Sequence, residues 1–179
     1  MQKNAYLRKL VLASILVAMQ IVLSRYIGVQ SQFFQSSFGF VPIACASALL
    51  GPLWGSVVAF IADFIGVTIA GTGAYFPLFG VNEILYALIF AAFLYKRKPS
   101  AIKAALCVVV QTVFVAIPLT PLWLYIYFSM LGTTKAFSVI FMSKITASLI
   151  ELPIKAAVLI PLSLFIFPKL EKIFIKRSH

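Results

Sequence analysis

Residues 38–70 read FGFVPIACASALLGPLWGSVVAFIADFIGVTIA, with Asp63 as the only charged side chain. A straight bilayer crossing takes about 20 residues, so this run is too long for one helix. Gly51-Pro52 and Gly55 interrupt it, and a glycine-proline step ends one helix and opens the next. The pattern predicts a short helix over 40–50 and a longer one over 53–70. The rest of the chain has the same character: of 179 residues, 63% are hydrophobic and 11% charged, with a mean hydropathy of +1.07. Soluble domains carry about 25% charged residues. There is too little polar surface here to cover a globule in water, which excludes a cytosolic enzyme, a disordered chain and a solenoid. The expected fold is all-α, an integral membrane protein forming one domain over residues 1–179.

Working outward, the first apolar run, Leu10 to Leu23, follows Lys3, Arg8 and Lys9. A basic stretch before an apolar one also describes a signal peptide, but no small-residue cleavage site follows. A retained first helix over 6–25 is the reading. A polar, aromatic-containing segment, GVQSQFFQSSFG, runs from Gly28 to Gly39. GTGAYFPLFG at 71–80 reads as a loop, and a fourth helix fits 81–95, stopping at Lys96-Arg97-Lys98-Pro99. A fifth covers 101–128, broken or kinked around Pro118 and Pro121. A sixth fits 139–166 with Pro153 and Pro161 inside, which spans tolerate when neighbours resatisfy the freed carbonyls.

Six spans put both termini on one side. Lys3, Arg8 and Lys9, then Lys96, Arg97, Lys98 and Lys103, then Lys169, Lys172, Lys176 and Arg177 share one face, eleven of fifteen basic residues. Arg25 and Lys135 lie on the other. The positive-inside bias predicts cytoplasmic termini. The net charge of +11 is therefore a topology signal and not a nucleic-acid footprint.

Ionisable side chains inside spans cost about 2.5–3.5 kcal/mol each and are default candidates for function. Glu151 and Lys155, four apart on one helix, form either an intrahelical pair or a ligand or partner contact. Asn82 and Glu83 either cap the fourth helix or face a ligand. Asp63 is expected to pair with a lysine inside the bundle. Arg25, a cation at the outer end of the first helix, either snorkels to head groups or forks onto a ligand carboxylate. Lys144 supplies a second cation to the same region. Phe33, Phe34, Phe38, Tyr75, Phe76, Phe79, Trp123, Tyr125, Tyr127 and Phe128 crowd this end, as an interfacial belt or as stacking surfaces for a flat, anionic ligand. Ser14 and Ala18 form a small-xxx-small pair with Ala13 adjoining, which serves internal packing or close approach of a partner helix.

Several chemistries are missing. Gly71-Thr72-Gly73 lacks the lysine of a phosphate loop, and no GxSxG or HExxH occurs. Cys45 and Cys107 lie in apolar stretches as packing residues, and the only histidine is His179, so no metal site and no cofactor is expected. A binding subunit that takes its energy from a partner fits these absences. A small lipid-modifying membrane enzyme would be expected to cluster its acids, whereas these four are well separated. A purely structural or assembly subunit would lack a bindable pocket.

The whole chain resembles the substrate-binding S-components of energy-coupling factor (ECF) vitamin transporters, in particular the folate-type members. The likeness is carried by KLVLASILVAMQIVLSR ending at Ser24-Arg25, by FGFVPIACASALLGPLWGSVVAFIADFIG at 38–66, by YFPLFG at 75–80 and by the KRK loop at 96–98. The resemblance implies six helices with cytoplasmic termini in a bacterial cell membrane. It implies a vitamin bound near the outer face, enclosed by outer loops and helices four to six, and delivered inward by toppling of the whole protein. It also implies docking on a transmembrane coupling subunit with two cytoplasmic ATPases, through an alanine-xxx-alanine pair whose first position is Ser14 here and whose second is Ala18. Folate would place its carboxylates on Arg25 and Lys144, its rings on Tyr75, Phe76 or Trp123, and its pterin edge on Asn82, with Phe38 and Glu83 close by. S-components for thiamine, riboflavin, biotin or pyridoxine precursors share the architecture and remain alternatives.

Overall fold

The structure is a computed structural model and describes residues 2–27, 29–30, 35–36, 38–70, 75–133 and 136–170. Helix α1 spans Gln2–Arg25, α2 Phe40–Leu50, α3 Pro52–Ala70, α4 Pro77–Leu94, α5 Ala101–Gln111, α6 Leu119–Met130 and α7 Phe137–Pro161. Wide π turns at Thr112–Ala116 and Leu162–Ile166 follow α5 and α7. Between α1 and α2 a two-residue antiparallel pair, β1 (Val29–Gln30) on β2 (Gln35–Ser36), is the sole strand pairing among the described residues. Phe33, Phe34, Gly71-Thr72-Gly73, Lys135, Lys172, Lys176, Arg177 and His179 lie outside the described residues.

Among the described residues, five helical stretches are long and apolar enough to cross a bilayer: Tyr6–Arg25, Pro52–Ile69, Pro77–Leu94, Ala101–Met130 and Phe137–Leu170. Helix α2, with eleven residues, is shorter. At 1.5 Å per residue it reaches roughly 16 Å, half the hydrocarbon thickness. The exterior carries large apolar side chains, with Leu53 80% exposed, Ile102 72% and Phe114 66%. The interior is lined by Gln20, Ser47, Asn82, Gln111, Thr112, Ser148 and Ser163, all buried. These polar residues sit among a core of small and apolar side chains such as Ala44, Val58, Phe90 and Leu159, and an apolar exterior with polar groups turned inward is the arrangement that lipid as solvent selects.

The break that splits residues 38–70 stands where the sequence puts it. Gly51 adopts φ +93°, and its N–H donates to the Ser47 carbonyl at 3.2 Å, closing α2. Pro52 then opens α3 with its fixed φ and no N–H to satisfy. The hairpin is tight, because a Cβ on Gly55 would lie 2.9 Å from the Ser47 Cα. Gly55→Val is therefore expected to lower the thermal-unfolding midpoint in detergent, with an overpacking cost of about 1–3 kcal/mol. Small residues elsewhere permit similar approach: Ala44, Ala46, Ala59, Ala87, Ala104 and Cys107 are wholly enclosed. Cys45 and Cys107 are buried free thiols, as their apolar surroundings suggest.

Two expectations are corrected. Residues 77–80 are not loop but the first turn of α4, with Pro77 at its opening and the Phe79 N–H bonded to the Phe76 carbonyl at 3.0 Å. The loop read from the glycines and aromatics ends at Pro77, which suits the first turn of a helix. Consequently Asn82 and Glu83 sit in the second turn of α4 and cap nothing. The fifth span is broken as expected: Pro118 and Pro121 donate no backbone hydrogen bonds, and the Ile117 N–H reaches back five residues to the Thr112 carbonyl at 3.0 Å.

Candidate ligand-binding site

Every helix contributes to one cavity of about 390 Å³, and each does so from the same end of the bundle. From α1 come Gln20, Ser24 and Arg25 near its C-terminus, and from α3 Asp63 and Val67. Tyr75 and Phe76 precede α4, which adds Phe79, Asn82, Glu83, Tyr86 and Phe90. The α5–α6 span gives Gln111, Thr120 and Tyr127, and α7 gives Lys144, Ser148, Glu151 and Lys155 from its N-terminal and middle turns. The cavity therefore opens from the end of the bundle opposite the beginning of α1 and the end of α7, and reaches past the middle at Phe90 and Lys155. Its size falls within the range of 300–1,000 Å³ that holds organic ligands.

Charge is concentrated here. The Arg25 Nη2 approaches the Asp63 Oδ1 at 3.4 Å, with the two side chains 11% and 13% exposed. Asp63 thus pairs with Arg25 and not with a lysine, and Arg25 turns inward instead of snorkelling. Gly66 makes room for this: a Cβ there would stand 3.1 Å from the Arg25 Nε, so the guanidinium lies directly on α3. The Glu151–Lys155 pair is real, at 2.7 Å. Among the described residues Lys144 and Glu83 make no ion pair, although both line the cavity. Burial, helped by Asp63 and Glu83 nearby, holds the Tyr75 phenol above its ordinary value, so it is present as a neutral hydroxyl.

Asn82 is held rather than free. Its Nδ2 donates to the Thr120 Oγ1 at 3.1 Å, and its Oδ1 accepts from the Trp123 Nε1 at 3.0 Å. This clasp ties α4 to α6 just beyond the π turn, where the backbone has surrendered its regular bonds. Trp123 does not line the cavity; it stands behind the wall and fixes Asn82. Trp123→Phe keeps the ring but orphans a buried acceptor. It is expected to cost about 1–3 kcal/mol of stability, read as a fall of roughly 2–4 °C in unfolding midpoint per kcal/mol.

The aromatic residues divide into separate groups. Phe76, Phe79 and Tyr127 form a triangle with centroids 5.4 to 6.0 Å apart, and all three line the cavity. Tyr75 meets Phe64 edge-on at 4.9 Å. Tyr125 turns away to pair with Phe137. Phe38 is 42% exposed and does not line the cavity, whereas its neighbours Gly39 and Phe40 do. Gln20, Gln111, Thr120, Tyr86 and Ser148 were not singled out from sequence. Their signal was available, since each is a polar side chain within an apolar span.

On the far side of α1, Ser14 and Ala18 are exposed, so they do not pack internally. Ala13, expected to adjoin them, is 6% exposed and faces the bundle. The Ser14 hydroxyl donates to the Leu10 carbonyl at 2.9 Å, which leaves a smooth, hydrogen-bond-satisfied strip among Val11, Ile15 and Val22.

A multi-pass helical membrane protein with one charged, aromatic-walled cavity in half of its bundle is a membrane-embedded binding protein. Residues 8–163 match the family described as ECF transporter, substrate-specific component, and the chain belongs to that family. It is a transporter component and not an enzyme. The chain is 32% identical over 144 residues to the folate transporter FolT of Clostridium novyi (strain NT), covering 80% of this chain and 81% of the relative. It is 30% identical over 152 residues to FolT of Leuconostoc mesenteroides, covering 84% and 82%. The crystal structure of FolT bound with folic acid superposes with a TM-score of 0.77 at 28% identity, covering 86% of this chain and 90% of that one.

Proposed function

We propose that residues 1–179 form one transmembrane domain, the folate-binding component of a bacterial ECF transporter in the cell membrane. The observation that carries this reading is the cavity itself, polar, aromatic-walled and charged, in a fold shared with a FolT bound with folic acid. Lys144 offers an unpaired cation for a carboxylate, and the Phe76–Phe79–Tyr127 wall offers ring faces. The basic flanks put both termini in the cytoplasm, so the cavity takes folate at the outer face. Ser14 and Ala18 face a transmembrane coupling subunit, which joins two cytoplasmic ATPases that supply the energy the chain itself lacks. No metal, cofactor or nucleic acid enters this scheme.

Calorimetric titration of the purified protein in detergent with folic acid, thiamine, riboflavin and pyridoxine tests it. The expected result is folic acid binding with Kd below about 1 μM and no comparable heat from the others. Preference for another vitamin would move the protein to a different S-component specificity. Absence of binding by a folded sample would overturn the reading.

A further inference from the structure

Helix α6 receives little guidance from its own backbone. The π turn at Thr112–Ala116 interrupts the regular ladder before it, and Pro118 and Pro121 have no N–H to give. At its other end the chain leaves through Gly132, at φ +71°, where a Cβ would meet nothing within 4 Å beyond its chain neighbours. Side chains set how α6 lies on α4. The Trp123 Nε1–H donates to the Asn82 Oδ1 at 3.0 Å, and the Asn82 Nδ2 donates to the Thr120 Oγ1 at 3.1 Å. The Thr120 hydroxyl in turn reaches the Val115 carbonyl, inside the π turn, at 3.5 Å. Tyr86, one turn beyond Asn82 on α4, also shares a hydrogen bond with Thr120. An indole N–H can only donate, so the Asn82 amide has one orientation here, oxygen toward Trp123 and amino group toward Thr120. Bonds that run in one direction through a buried path reinforce one another.

This path lies one turn from the aromatic wall. Phe79 and Asn82 are three apart on α4, and Trp123 and Tyr127 are four apart on α6, spacings that make neighbours on a helix surface. The wall itself is shared between the two helices: Phe79 comes from α4, Phe76 from just before it, and Tyr127 from α6, with centroids 5.4 to 6.0 Å apart. Turning α6 by one residue, about 100°, would carry Tyr127 off the other two rings. Trp123 is absent from the cavity lining, so it can act on a ligand only through the residues it holds.

We infer that Trp123 is a positioning residue for ligand binding: through Asn82 it fixes the rotation of α6 on α4 and so holds Tyr127 against Phe76 and Phe79 as a ready-made wall for the ligand's ring. A wall built before the ligand arrives spares the ordering cost of binding. Asn82, expected from sequence at the pterin edge, serves the wall instead. This assignment rests on the folate reading above.

A double-mutant cycle with folic acid tests it. Purified wild type, Trp123→Phe, Tyr127→Leu and the double variant are titrated by calorimetry and melted in parallel. Trp123→Phe is expected to weaken folic acid about tenfold, the scale of a hydrogen bond lost from a buried network, chiefly through faster dissociation. Tyr127→Leu weakens it as well, and the double variant stays within about twofold of Tyr127→Leu, because the wall that Trp123 serves is already gone. The fall in unfolding midpoint caused by Trp123→Phe persists in that background, since the Asn82 oxygen is orphaned in both. Thr120→Val cuts the other bond of Asn82 and takes the place of Trp123→Phe in the cycle should that variant not fold. Wild-type affinity in folded Trp123→Phe overturns the assignment. So does unaltered affinity in Tyr127→Leu. Losses that multiply in the double variant overturn it too, since general loosening of the bundle would produce them. Failure of folded wild type to bind folic acid overturns the folate reading itself and the assignment with it.

Discussion

Ala18→Trp is expected to abolish ATP-driven folate uptake while leaving folate binding by the isolated protein unchanged. Ala18 sits one turn after Ser14 on the outer strip of α1, exposed and away from the cavity, so an indole there disturbs neither the bundle nor the ligand. It does hold a partner helix off. Helices in lipid associate through close packing of small residues, with no hydrophobic drive to compensate for a gap. Losing even 1.4 kcal/mol of contact is a tenfold loss in association, and a bulky ring at the centre of the strip removes more than one contact. Uptake into vesicles containing the complete transporter checks the first half, and titration in detergent the second. Because the Ser14 hydroxyl is already bonded to Leu10, Ser14→Ala should change neither quantity, a contrast that separates bulk from polarity.

The second large effect belongs to the Arg25–Asp63 pair. Arg25→Met leaves Asp63 with no cation beside it in a side-chain environment only 13% exposed. Breaking one partner of a buried pair costs about 3–5 kcal/mol, because an uncompensated charge remains. The unfolding midpoint should fall sharply and folate binding should be lost. Replacing both partners, as Arg25→Met with Asp63→Leu, restores most of the stability, since an apolar pair of similar volume packs between α1 and α3 without the desolvation cost of two charges. Binding should not return. Thermal melts and titrations on the two variants distinguish this from a purely structural role, in which stability and binding would recover together.

The span pattern was legible because lipid imposes a composition that few other environments share. The Gly51-Pro52 break was equally legible, since the two residues have opposite and specific backbone preferences. The start of α4 differs from the sequence reading because the glycines and aromatics of GTGAYFPLFG point to a loop throughout, whereas Pro77 fits the first turn of a helix. The Arg25–Asp63 pair was not visible. Its members lie 38 positions apart on helices whose relative rotation no local periodicity records. Trp123 shows the limit of reading a helix by composition. Thr120, Leu124 and Tyr127 line the cavity at spacings of four and three, and Trp123 lies about 100° around the helix from Leu124, where its N–H reaches Asn82. Lys144 and Glu83 stand out in the sequence as charges inside spans, whereas Gln20, whose buried amide oxygen has no hydrogen-bond partner, carries no charge to mark it.

The central claim is that folate occupies this cavity. Trp54→Phe leaves Trp123 as the one tryptophan, standing directly behind Asn82 in the cavity wall. Titrating that variant with folic acid and following its fluorescence reads occupancy at the site itself. Saturable quenching with one folate per chain, absent with thiamine and riboflavin, is the predicted result. An unchanged Trp123 signal from a folded sample that binds folate by calorimetry would place the ligand elsewhere and contradict the account.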